Sequence, residues 1–401
     1  MPLLIVVRFL FSLVSWGVLA AAGWLLWEWY DGALVMGDDG LLRRVREDWQ
    51  LWLGAGLLAW SFLGGFVLRP LLAKPDRRKL DAHHGDGEII EGARGAKLYV
   101  EQLGPRDAPC LILTHGWGLD STIWAYAKSE LARDFRVVLW DLPGMGRSRA
   151  GPDGVHLSAF AEDLACVIAW TGRDRVVLAS HSIGGMTTQT LARDNPKFFK
   201  DRVAGAVLIN TSHTNPLKTM VLSGLAQALR PLIELQLRLT AWLEPLAFIS
   251  AWQSYLSGAA HLANRLGFGP HVTHSQLTKT ALLTTRNSQR AQALGNLSMF
   301  RWDATGVFGD IDVPVLVLGG KQDIVTKAEA SRTIAASALD ARLEIIDEAN
   351  HMGFLERPEA YNRAISAFAT RVSRQASAPS GGPERARRVP AGRVLESERL
   401  H

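Results

Sequence analysis

Residues 176–186 read Val-Val-Leu-Ala-Ser-His-Ser-Ile-Gly-Gly-Met. An apolar, β-branched run enters a turn of small residues, and a helical pattern follows. In such a strand–turn–helix junction the turn is too tight for bulky neighbours two positions away. Ser182 is then thrust out at the carboxyl edge of a sheet, with the Ile183 N–H beside it at a helix N-terminus. Gly184 supplies the small downstream residue. Upstream the small residue is Ser180, where the motif more usually has glycine. The competing reading is an ordinary serine-rich turn.

Working outward, residues 81–373 repeat one pattern. Short apolar runs at Leu111–Thr114, Arg136–Trp140, Val176–Ala179, Val203–Ile209, Val313–Leu318 and Leu343–Ile346 predict buried strands. Segments of helical period lie between most of them, such as Leu157–Trp170 and Ala328–Ala338. That alternation predicts an α/β fold, a doubly wound and mostly parallel sheet covered on both faces. It breaks once, between Ile209 and Val313, where a long apolar and helical stretch predicts a cap over one end of the sheet.

The predicted strand ends collect the residues that carry chemistry. Leu111–Thr114 runs into His115-Gly116-Trp117-Gly118, a turn suited to present the Trp117 N–H opposite that of Ile183. Two such donors form an oxyanion hole, and loss of one typically costs about 3–4 kcal/mol in the transition state. His115 is expected to lock this loop by hydrogen bonding, and Gly116 to let it turn. An acid and a base should follow the serine in that order. Asp323 lies in the loop after the strand at Val313–Leu318, and His351 after the strand at Leu343–Ile346. Asp347 reads as a turn residue, Asn210 and Thr211 occupy another position where an acid can sit, and His213, His271 and His274 fall at or in the cap.

From about residue 88 to 373 the chain resembles the α/β-hydrolase superfamily. The resemblance rests on HGWG at 115–118, DLPGMGRS at 141–148, SHSIGG at 180–185, GGKQD at 319–323 and NHMGFLERP at 350–358, all in order. It covers about 70% of the residues. It implies the fold and a Ser182–His351–Asp323 triad, with Asp141-Leu-Pro-Gly144-Met-Gly146 a structural loop beside the site. It implies no particular substrate.

The flanks have another character. From Phe9 to Trp27 and from Leu51 to Leu68 run 19 and 18 residues without a charge. Each would span roughly 27–29 Å as a helix, close to the thickness of a bilayer core. Seven of the 14 tryptophans lie in the first 60 residues, and Trp24, Trp27, Trp29, Trp49 and Trp52 cluster toward the connection, as an aromatic belt would. A transmembrane hairpin over 1–73, with spans at about 9–27 and 51–68, is the expectation. A signal peptide cleaved near Ala20–Ala22, followed by a buried helix, is the alternative. Arg69, Lys74, Arg77, Arg78 and Lys79 after the second run outnumber Arg43, Arg44 and Arg46 in the connection. That bias predicts a multi-pass protein of a bacterial inner membrane with its catalytic domain cytoplasmic.

Remaining boundaries are a basic linker at 74–87, a core of 88–210 and 306–373, a helical cap at 211–305, and a disordered basic tail at 374–401. The net charge of +5 arises outside the core, since 81–373 carries 29 basic and 29 acidic residues. A nucleic-acid partner is therefore not expected. Cys110 and Cys166, the two cysteines, allow no disulfide framework or thiolate cluster, and no metal or cofactor is expected.

A serine nucleophile points to acyl transfer, and the apolar cap and hairpin point to a hydrophobic acyl substrate met at a lipid bilayer. A membrane-anchored, lipase- or esterase-like serine hydrolase is the leading expectation. A carbon–carbon bond hydrolase, a thioesterase, a cofactor-free peroxidase-type enzyme and an acyltransferase share the same triad. A non-catalytic lipid-binding module is the alternative of another class. The oligomeric state is left open.

Overall fold

The structure is a computed structural model that describes residues 2–377. Its centre is an eight-stranded sheet. In chain order the strands are β1 Glu88–Glu91, β2 Lys97–Leu103, β3 Cys110–Thr114, β4 Arg136–Trp140, β5 Val176–His181, β6 Val203–Ile209, β7 Val315–Gly320 and β8 Ala341–Ile346. In space they run β8-β7-β6-β5-β3-β4-β2-β1, and β2 alone is antiparallel to the rest.

Strands β3, β5 and β6 are buried along their whole length. Two faces must therefore be covered, which is why these strands read as unbroken apolar runs. One apolar cluster joins Ile112, Val138, Leu178 and Leu208 to Phe160 and Leu164 of the helix Leu157–Trp170. On the other face Leu113, Val177, Val207 and Leu318 meet Phe354, Ile365 and Phe368. Each such side chain contributes about 1.5–3 kcal/mol when fully buried.

Several expected boundaries need correction. Strands β1 and β2 were not anticipated, because their polar residues (Glu88, Glu91, Lys97, Glu101) interrupt the apolar run. β7 begins at Val315, so Val313 precedes it, and it carries on through Gly319 and Gly320. The helix Ala328–Ala336 ends two residues before Ala338.

Two long helices open the chain, α1 Pro2–Asp31 and α2 Asp48–Leu72, both longer than the expected spans 9–27 and 51–68. Short antiparallel strands Ala33–Met36 and Leu42–Val45 join them. After the elbow comes α3, Ile183–Asp194. The stretch between β6 and β7 is helical, chiefly α4 Arg230–Trp242, α5 Glu244–Ser257, α6 Ala259–Arg265, α7 His274–Arg286 and α8 Gln289–Met299. It leaves and rejoins the core at one point. Thr214 pairs with Asp303, and the Ala304 N–H donates to the His213 carbonyl at 2.9 Å.

Segment 74–87 is tied down. Lys74 N–H donates to the Val272 carbonyl at 2.9 Å, Asp76 accepts from Ser275, and Leu80 is buried. At the other end the helix Pro358–Ser377 continues past 374, so the first four residues of the expected tail are helical. Residues 378–401 lie outside the described residues.

Candidate active site

At the end of β5 the backbone turns so sharply that Ser182 adopts φ +54° and ψ −118°, in a region that L residues rarely occupy. The neighbours explain how the turn survives. A Cβ on Gly184 would lie 2.7 Å from the Thr114 carbonyl oxygen and 3.0 Å from that of His115, so any side chain there would push the helix off β3. Ser180 fits upstream because its hydroxyl turns inward to Thr188 Oγ1, 2.8 Å away, and is satisfied there. The Ser182 N–H donates to the Ile209 carbonyl at 2.9 Å, and Thr211 Oγ1 donates to the Ser182 carbonyl at 2.6 Å.

The structure brings Ser182, His351 and Asp323 together from three strand ends. His351 Nε2 lies 3.1 Å from Ser182 Oγ, and His351 Nδ1 lies 2.9 Å from Asp323 Oδ2. Since a carboxylate only accepts, Nδ1 carries the proton, and Nε2 is free to accept from the serine hydroxyl. Asp323 is buried, which alone would raise its pKa. His351 beside it, hydrogen bonds from Asn210 and Thr326, and the Thr326 N–H together hold it below the usual carboxylate value. Its Oδ1 accepts from the N–H groups of Val325 (2.7 Å) and Thr326 (2.8 Å). Its Oδ2 also accepts from Asn210 Nδ2 (2.9 Å) and Thr326 Oγ1 (2.8 Å).

Sequence reading missed most of this support. Asn210 holds a positive φ of 45° and bridges Asp323, the Asn350 carbonyl and the buried Tyr361 hydroxyl. Asn350 Oδ1 accepts from the N–H groups of His351 (2.8 Å) and Ile324 (3.2 Å), while its Nδ2 reaches the carbonyls of Leu266 and Phe268 in the cap. Only the amide beside His351 in the Asn350-His351 pair hinted at such a role. His181, whose ring was not considered, stacks 4.9 Å from His351 and 4.6 Å from Phe354. Its Nε2 donates to the His351 carbonyl at 3.0 Å, and burial pushes its pKa well down.

Ile183 is the first residue of α3, so its N–H has no acceptor within the helix. Across the serine lies the loop 115–118. His115 is buried, accepts from Leu142 N–H at Nε2 (2.9 Å) and donates from Nδ1 to the Gly116 carbonyl (2.8 Å). Burial lowers its pKa and keeps the ring neutral, so His115 fixes the loop. Gly116 faces His181, whose Nδ1 would be 2.5 Å from a Cβ there. Trp117 reaches the cap, where its Nε1 donates to the Gln292 carbonyl at 3.0 Å and its ring packs against Cα of Gly295. Asn287 completes the tie, with Nδ2 on the carbonyls of Gly118 and Leu119 and Oδ1 on Gly146 N–H.

The other candidates lie elsewhere. Asp347 is exposed and pairs with Lys321 at 2.9 Å. His271 pairs with Glu348 at 3.0 Å, His274 begins α7, and His213 is at the cap base. His84, Asp120 and Asp141 bring their ligand atoms within 4.8 Å of one another. The Asp141 oxygens, however, already accept from Ser121 N–H, Arg147 N–H and His84, so this group braces the loop at 141–148.

Comparison with known proteins agrees with this architecture. Residues 109–358 match the family model described as alpha/beta hydrolase fold. The bifunctional esterase/perhydrolase DCH of Acinetobacter calcoaceticus is 31% identical over 59% of this chain and 82% of its own length. The pimeloyl-[acyl-carrier protein] methyl ester esterase of Pectobacterium carotovorum is 26% identical over 68% of this chain and 99% of its own. Among solved structures, esterase RhEst1 from Rhodococcus sp. ECU1013 superposes with a TM-score of 0.58 at 20% identity, over 72% of this chain and all of that one. The chain belongs to the alpha/beta hydrolase fold family.

Proposed function

We propose that this family member is a membrane-anchored serine hydrolase that cleaves hydrophobic carboxylic esters through an acyl-enzyme. The observation that carries the reading is the relay at the strained elbow, Ser182 Oγ to His351 Nε2 at 3.1 Å and His351 Nδ1 to Asp323 at 2.9 Å. Ser182 Oγ attacks the ester carbonyl carbon while His351 Nε2 takes its proton. The carbonyl oxygen becomes an oxyanion held by the N–H groups of Ile183 and Trp117. Collapse breaks the acyl–oxygen bond, and His351 returns the proton to the departing alcohol. Water then repeats the sequence on the acyl-serine and releases the acid. One water, which supplies the hydroxyl of the acid and returns the proton to Ser182, completes this balance. The names of the two sequence relatives, both esterases, support ester chemistry.

Anchoring rests on α1 and α2. Val7–Asp31 and Asp48–Leu72 are each long and apolar enough to cross a bilayer, and most of their surface is unburied, unlike that of a core helix. The Lys/Arg bias, five after the second apolar run to three in the connection, supports a catalytic domain on the cytoplasmic side of a bacterial inner membrane.

Labelling of isolated membranes with a fluorophosphonate probe tests the chemistry. Wild type should label and Ser182→Ala should not, with ester turnover in the variant down by about 10⁴–10⁶. Folded wild-type protein that neither labels nor hydrolyses any ester would sink the enzyme reading.

A further inference from the structure

The hairpin helices α1 and α2 do not stand apart from the catalytic unit. They are seated on the cap. Arg8 Nη2 donates to Asn264 Oδ1 (2.9 Å), Ser12 Oγ bonds Ser250 Oγ (2.7 Å), Ser15 Oγ bonds Ser257 Oγ (2.5 Å), and Trp16 Nε1 donates to Ser250 Oγ (3.0 Å). On α2, a Cβ at Gly65 would come within 2.8 Å of the Tyr255 carbonyl, and Gly64 lies closer still to that of Ser257. These two glycines let α2 lie directly on the backbone of the α5 C-terminus.

This seating leaves the hairpin short. At most residues 17–31 of α1 and 48–63 of α2 stand clear of these contacts, about 22 Å and 24 Å at 1.5 Å per residue. A bilayer core is about 30 Å thick. A hairpin that crosses it must draw the missing 6–8 Å from the part the cap covers, so the edge of the cap enters the leaflet. That depth matches the roughly 5–10 Å to which amphipathic helices sink at an interface. The cap surface agrees: Leu232, Leu235, Leu239, Trp242, Leu246 and Ile249 of α4 and α5 are exposed, Trp242 by 76%. They continue the apolar surface of α1.

Between α1 and these two helices opens a cleft of about 930 Å³. Its mouth is apolar, with Phe9, Leu13, Leu239 and Leu246 among its walls, and its floor is polar, formed by Thr284, Gln292 and Asn296. Arg8 also lines it, with a buried Nε that has no partner. The floor backs onto the oxyanion loop, since Gln292 accepts from Trp117 and a Cβ on Gly118 would touch both Gln292 and Thr284.

We propose that this cleft takes the acyl chain of a membrane lipid ester laterally from the leaflet in which the cap is embedded. The chain lies between α1 and α4–α5 with its ester end entering over the polar floor, from which it must pass Gln292 and Trp117 to reach Ser182, and Arg8 Nε meets an oxygen of the head. The inference rests on the esterase reading and adds the source and length of the acyl group.

The test uses the full chain in phosphatidylcholine/phosphatidylglycerol vesicles that carry 4-nitrophenyl palmitate, with 4-nitrophenyl acetate in the water as comparison. Ala247 lines the cleft. Ala247→Trp should lower the palmitate-to-acetate turnover ratio at least about tenfold, and Ala247→Ser should hold it within about threefold. An unchanged ratio in Ala247→Trp overturns the cleft. If Ala247→Trp does not fold, a palmitoyl ester with a terminal diazirine reports on wild type: crosslinks in 8–16 together with 230–257 support the cleft, and crosslinks that miss 230–257 overturn it. Absence of turnover on both esters in wild type would instead strike the esterase reading.

Discussion

The elbow and the seam between hairpin and cap are both places where backbones approach closely, yet they are built to opposite ends. At the elbow the side chains of the relay, Ser182, His351 and Asp323, all have partners. Asp323 accepts five hydrogen bonds, Asn210 makes three, and Ser182 is buried in a conformation its surroundings impose. Such a site is preorganised, so little has to move when charge develops. The seam instead keeps a cleft, a row of exposed leucines and buried polar atoms without partners, Arg8 Nε, Gln253 Oε1 and both ring nitrogens of His261. In one region the chain satisfies itself, and in the other it leaves surface for something else to cover.

The contrast can be broken most severely at the elbow. Asp323→Asn keeps the shape but removes the acceptor that sets the His351 tautomer, and kcat should fall by about 10⁴ with the fold intact by circular dichroism. A smaller effect is expected where the two regions meet. Gly295→Val drives a side chain into the Trp117 ring. Overpacking of this kind costs about 1–3 kcal/mol, and displacement of the oxyanion loop should lower kcat more than it raises KM.

Acid should then loosen the elbow further. The folded-state pKa values of His115 and His181 are depressed by burial, so the unfolded chain binds more protons once pH falls below about 6.5. Their contribution is fully present above that value and is lost as pH drops toward the folded values, at up to about 1.4 kcal/mol per pH unit for each ring. Thermal melts between pH 7.5 and 5.5 should show the decline, and His181→Asn should flatten it. Least of all, Asp347→Asn breaks an exposed pair with Lys321 and should shift stability by no more than about 0.5 kcal/mol, with activity unchanged.

Much of the elbow was open to reading because its signals are local. A buried parallel strand must be apolar throughout, a tight turn must be flanked by small residues, and the acid and base sit one short loop beyond their strands. Asn210 was visible only as a residue that is not an acid. Its partners Asp323, Asn350 and Tyr361 lie 113, 140 and 151 positions away, and no local pattern encodes such a meeting. His181 was passed over for the same reason, since its partner His351 lies 170 positions away.

The seam divides in the same way. Hydropathy alone marks two helices long enough to cross a bilayer, because the preference of a side chain for hydrocarbon is a property of that side chain. That α1 and α2 rest on the cap depends on Ser12 finding Ser250, Ser15 finding Ser257, and Gly64 and Gly65 finding the carbonyls of α5. Serine and glycine carry no hydropathic signal strong enough to announce a partner some two hundred residues away. The sequence by itself determined the buried parallel strands, the two long apolar helices and the order in which the reactive residues arrive. Only the tertiary structure decided that Asn210 and His351 meet Asp323 and where the hairpin lies, because both depend on contacts between segments that are distant along the chain.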